Sequence, residues 1–173
     1  MQEIENPELA QERMKKLYEQ KGYSKDWVDK RLRGIAIRQN LTDEWKNRNV
    51  KEKIEFAILT NEISKATFGK SVEEYKNLKG LEKENLRDHM YDLELIFSML
   101  GERVATEITV SKNADGFDEC SIAAKQGEEV AGNARKEAER KIGRTIVSEE
   151  NYLSEVEQRK KKKKINLNEI EVR

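Results

Sequence analysis

The chain has 173 residues, with 34 Lys and Arg balanced by 34 Asp and Glu, one His, one Cys and one Pro. Charged residues make up 39%, far above the roughly 25% of ordinary globular domains, and apolar residues only 36%. These figures exclude an internal disulfide and a structural zinc site of four Cys or His ligands, and no apolar run approaches the roughly 18 residues of a membrane span; a reduced, cytoplasmic protein with a modest core is expected.

In chain order, Asn6-Pro7-Glu8 opens a first helix, with Asn as N-cap and Pro at the first helical position. Ala10, Met14, Leu17 and Tyr18 form its apolar stripe, and Gly22 stops it. Ser24 caps a second helix carrying Val28, Leu32, Ile35 and Ala36, and Thr42-Asp43-Glu44 reads as a new start or a bend leading to Trp45. A third helix holds Ile54, Phe56, Ala57, Ile58, Leu59 and Ile63, a surface broad enough to imply burial on more than one side. Ser71-Val72-Glu73-Glu74 is a capping box for a short helix ending near Gly80.

The strongest helix signal follows. Leu93, Ile96, Phe97, Leu100, Val104 and Ile108 repeat at spacings of three and four, widened by Leu95 and Met99, and predict the central helix of the core. After the polar turn at 111–116, Cys120, Ala123, Ala124, Gly127, Ala131, Ala134 and Ala138 form a small-residue face, which lets a neighbouring helix approach closely. Gly143 ends that helix, and Ser148 is read as the cap of a last one through Tyr152, Leu153 and Val156. The fold class is all-α: a bundle of about six to seven helices over 1–156 with a basic extension, 157–173, expected to be extended or flexible.

Charge is unevenly placed. Arg159, Lys160, Lys161, Lys162, Lys163 and Lys164 form an unbroken basic run, and the rest of the chain carries a net charge of −6. A second basic strip, Lys30, Arg31, Arg33, Arg38, Lys46, Arg48, Lys51 and Lys53, lies beside Trp27 and Trp45. Arginines at helical spacing can clamp phosphates, yet Asp26, Asp29, Asp43, Glu44, Glu52 and Glu55 interleave with them, the pattern of a solvated helix face. Catalytic constellations are few. His89 is the only imidazole, and Cys120 lies on the small-residue face as a packing thiol. Asp88, His89 and Asp92 could in principle hold a metal, but without a second ligand cluster they read as the first turn of a helix. Gly127 to Gly132 has the spacing of a phosphate loop but lacks its Lys and hydroxyl residue. No cofactor or metal is expected.

A chain of short motifs covering roughly residues 2–153 carries a resemblance. Gly22-Tyr23-Ser24-Lys25-Asp26-Trp27, Arg31-Leu32-Arg33-Gly34-Ile35, Leu41-Thr42-Asp43-Glu44-Trp45, Phe56 to Ile63, Glu84 to Met90, Val130-Ala131-Gly132 and Asn151-Tyr152-Leu153 are its main segments. They resemble the C-terminal region of bacterial and prophage proteins with an N-terminal Bro-N domain, the phage antirepressors, related to DNA-damage-inducible protein D. In that family the presumed DNA-binding part is the Bro-N domain, and this chain begins at about the point where that domain would end. The resemblance offers no catalytic residues. It implies a non-enzymatic regulatory domain that contacts a repressor, a recombination or repair factor, or a second copy of itself, with DNA bound mainly through the missing domain. The small-residue face, Ala123, Ala124, Gly127, Ala131 and Ala134, is the expected interaction or oligomer surface. The alternative is a direct DNA-binding module using Arg31, Arg33, Arg38, Arg48 and the run from Arg159 to Lys164.

Overall fold

The computed structural model describes residues 6–171, apart from the side chains of 153–156, 158, 159, 161 and 162. The helices are α1 (Pro7–Gln20), α2 (Lys25–Asn47), α3 (Ile54–Phe68), α4 (Val72–Leu78), α5 (Asp92–Ser111), α6 (Gly116–Ile142) and α7 (Tyr152–Glu171), with a 3-10 turn at Leu86–His89. There is no strand among the described residues, and the fold is all-α. Capping chemistry accounts for the starts. The Asn6 side chain accepts from Glu8 N at 3.2 Å, Ser24 Oγ accepts from Trp27 N at 3.3 Å, and Ser71 with Glu74 closes the expected capping box.

Helix α2 runs unbroken for 23 residues, so the expected start or bend at Thr42 is absent. The polar side chains there are satisfied along the helix instead: Thr42 Oγ1 donates to Gln39 O at 3.0 Å and Gln39 Nε2 to Asp43 Oδ1 at 2.8 Å. Helix α3 buries Leu59, Ile63 and Phe68 but leaves Ile54 and Ile58 exposed, a narrower burial than its apolar pattern suggested.

Helix α5 is central, packed between α2 and α6, but its buried face is rotated from the expected stripe. Phe97 is buried; Leu93, Val104 and Ile108 are half-buried, and Ile96 and Leu100 stand exposed. The inner face is Leu95, Ser98, Gly101, Glu102, Ala105, Thr106 and Thr109. The cause lies on α6. A Cβ added to Gly127 would fall 2.5 Å from Ala105 Cα, and one added to Gly132 would strike Ala66 O on α3. Axes this close admit only small side chains between them, so the small-residue side of α5 turns inward and the large aliphatic side turns out.

This geometry separates two glycines. Gly34, at the α2–α5 contact, would place an added Cβ 3.6 Å from Met99 Cγ, an ordinary contact. Gly34→Ala therefore raises stability by up to about 1 kcal/mol through helix propensity, whereas Gly127→Ala lowers it by about 1–3 kcal/mol because backbone must move. Thermal melts of the two variants check the opposite signs.

Aromatic residues close one end of the bundle. Tyr152, at the start of α7, stacks on Trp27 with ring centroids 5.4 Å apart and meets Tyr91 edge-on at 5.1 Å. Trp27 Nε1 donates to Met90 O at 2.9 Å. Ser148 does not cap α7; its Oγ accepts from Glu150 N at 2.9 Å, ahead of the helix. The basic stretch is helix through Glu171 rather than extended chain, a correction that follows from the good helix propensity of Lys, Arg and Glu.

Candidate functional site

Much of the basic strip is taken up by contacts within the fold. Arg31 is buried, and its Nε donates to Asp88 Oδ1 at 2.9 Å, an oxygen that also accepts from Tyr18 OH at 2.8 Å. Arg48 Nε donates to Glu44 at 2.8 Å, and its Nη1 donates to Asn113 Oδ1 at 3.1 Å and Ala114 O at 3.0 Å, fastening the α2 end to the α5–α6 turn. Arg38 lies over the Trp45 ring at 5.2 Å and donates to Thr60. Lys30 is held by Asp26 and by Asp92 at 2.8 Å. Of the four arginines expected to contact DNA here, only Arg33 is exposed. Arg31 and Arg48 are structural clamps, the first held by Asp88 of the 3-10 turn and the second by the interleaved Glu44. In the basic run Lys160, Lys163 and Lys164 are exposed, and the side chains of Arg159, Lys161 and Lys162 lie outside the described residues.

The expected interaction face is also corrected. Ala123, Ala124, Gly127 and Ala131 are buried against α5 and α3, and Ala134 is half-buried against the aromatic cluster. Close helix packing uses up this surface inside the chain. Cys120 is fully buried, and burial pushes its thiol up. Asp88 and Asp92 share no helix face, since the 3-10 turn ends at His89 and α5 begins at Asp92. His89 Nδ1 meets Asn151 Oδ1 at 2.6 Å. The described residues hold no group of three or more His, Cys, Asp or Glu placed to bind a metal.

What sequence patterning did not reveal is a cavity of about 550 Å³ between α2, α3, α5 and α6 and the loop before the 3-10 turn. Glu102 and Glu128 line it, as do Arg38, Arg87, Thr60 and Thr67. Arg87 pairs with Glu102, and Thr67 donates to Glu128. Glu102 and Glu128 are 1% and 0% exposed, yet one oxygen of each, Glu102 Oε2 and Glu128 Oε1, has no hydrogen-bond partner, and neither has Arg38 Nη1. Burial pushes the Glu128 carboxyl up to about 8, with the neighbouring Glu102 charge adding to the rise and Thr67, Arg87 and Arg38 opposing it. Gly101 makes room for this carboxylate, since an added Cβ would lie 2.5 Å from Glu128 Cδ. Apolar side chains, Ile35, Ile63, Phe68, Leu86 and Met90, complete the wall, and Lys76, Lys83 and Glu84 also line it.

Comparison of the chain with protein-family models, with curated proteins and with solved structures gives no match. No helix among the described residues is long and apolar enough to cross a membrane.

Proposed function

We propose that this chain is a non-enzymatic helical interaction module, a regulatory domain of the Bro-N-associated antirepressor or damage-response type, working through protein contacts. The observation that carries this reading is an inversion of the surface. Carboxylates within the fold occupy Arg31 and Arg48 of the basic strip, while Ile54, Ile58, Ile96, Leu100, Ile122 and Val130 stand exposed on α3, α5 and α6. Exposed aliphatic side chains in this number suit a surface that a partner or a second copy covers. The absence of convergence among Asp88, His89 and Asp92 favours a non-catalytic role. Sedimentation over a concentration range, with pull-down from a bacterial extract, is expected to show self-association or a specific partner, lost in Ile96→Lys/Leu100→Lys. A strict monomer that recovers no partner would overturn the reading.

DNA binding is the second reading, and it moves to α7, where Lys160, Lys163 and Lys164 are exposed on one basic helix. If the chain binds duplex DNA, replacing residues 159–164 with serine weakens it several-fold and flattens its salt dependence. Arg33→Ala changes it little, and Arg48→Ala acts by loosening the fold. Filter binding between 50 and 200 mM salt, paired with thermal melts, separates these effects.

A further inference from the structure

We infer that the cavity between α2, α3, α5 and α6 is a binding site for a small dipolar ligand, an apolar α-amino acid whose ammonium group meets Glu102 and Glu128 and whose carboxylate meets Arg38. This goes beyond the protein-contact reading and does not depend on it.

Four charged side chains of the wall, Arg38, Arg87, Glu102 and Glu128, come from α2, the 3-10 turn, α5 and α6 and bring both signs of charge together, while Arg31, Lys76, Lys83 and Glu84 also line it and take the whole wall to a formal +2. Charges of both signs held apart on separate elements suit a ligand that itself carries both. The polar groups left open fit such a ligand. Glu102 Oε2 and Glu128 Oε1 can accept, Arg38 Nη1 can donate, and none of the three has a partner. These atoms have almost no contact with solvent, so water at the protein surface does not satisfy them. A buried polar group without a partner is destabilising, and a ligand supplying that partner recovers the loss. The terminal torsion of a glutamate is a broad well, so a small turn presents either carboxylate to a bound group.

The fit holds in both protonation states of Glu128. When ionised, Glu128 accepts from the ligand ammonium beside Glu102. When protonated, it donates to the ligand carboxylate beside Arg38, and the ammonium keeps Glu102. The cavity volume lies within the usual range of about 300–1,000 Å³ for small-molecule sites. Ile35, Ile63, Phe68, Leu86 and Met90 offer an apolar wall for a side chain. Gly101 points the same way, since any Cβ there would displace the Glu128 carboxylate.

The test is calorimetric titration of the full chain with L-leucine, L-methionine and L-phenylalanine, each compared with its N-acetyl and carboxamide forms. Saturable binding of at least one free amino acid is expected, weakened about tenfold or more by blocking either end, because each block leaves a buried group unpaired. No saturable binding by any of the three, or equal binding of the blocked forms, overturns the inference. Glu102→Gln, with its fold checked by melting, is expected to lose at least tenfold in affinity, and unchanged affinity also overturns it. Should that variant not fold, the blocked-ligand series on the unaltered chain decides alone.

Discussion

Lys79→Met is expected to lower the stability of the fold by about 3–5 kcal/mol. Lys79 and Glu94 form an ion pair of 2.9 Å in which the side chains are 0% and 1% exposed. Its setting is closed on every side. Glu94 also accepts from Tyr75 OH and from Tyr91 N at 2.7 Å, and Lys79 Nζ donates to Glu150 O at 2.6 Å. The ammonium lies 5.6 Å from the centroid of the Tyr75 ring and 5.9 Å from that of Tyr91. Removing the cation leaves a buried carboxylate among neutral donors, and breaking one side of such a pair is far worse than never having had it. The same lysine ties the segment before α7 to the start of α5, so its loss also frees the anchor of Tyr152. Lys79→Met/Glu94→Gln removes both charges, the glutamine oxygen can accept from Tyr91 N while its amide donates to the Tyr75 hydroxyl oxygen, and the double variant is expected to recover a large part of the loss. Urea denaturation of the single and double variants checks this; a single variant within 1 kcal/mol of the unaltered chain would sink the account.

The same residues show where the sequence is readable. Asn6-Pro7, Ser71 to Glu74 and the left-handed Gly143 act through neighbours two to four positions away, so their roles are visible in the string. The small-residue face was legible as a close-packing surface, and Gly127 against Ala105 bears that out. Its partner was not legible, because small side chains suit a helix of the same chain and one of another chain equally. Helix α5 misleads for a related reason. Period and hydrophobicity favour Ile96 and Leu100, but the tight approach of α6 selects the neighbouring face, and two glutamates go in with it.

The cavity was invisible for a deeper reason. Glu128 and Glu129 are adjacent and chemically identical in sequence, yet one is fully buried and the other exposed. What separates them is Thr67, Gly101, Glu102 and Arg87, contributed by three other elements. Charged residues in a chain this rich in charge carry no local mark of burial. The one signal was that Gly101, Glu102 and Ala105 fall on one side of a helix whose other side is aliphatic.

Glu128 also sets an expected pH dependence of stability. Burial holds its carboxyl up to about 8 in the fold, against 4.5 for a free side chain. Between those values the folded state binds a proton that the unfolded state has released, so stability falls as pH rises. The contribution is fully present below the unfolded pKa and is lost as pH passes through the folded one. Between pH 6 and 9 the loss is about 2–3 kcal/mol. Glu128→Gln keeps an acceptor for Thr67 and cannot ionise, so its stability changes less over this range and exceeds that of the unaltered chain at pH 9. Only the difference between the two proteins matters, because other groups that titrate in this window are common to both. Denaturation midpoints at pH 6, 7, 8 and 9 measure it, and parallel profiles would show that Glu128 is ionised in the fold throughout. In that case Arg38 and Arg87 outweigh burial at this carboxylate.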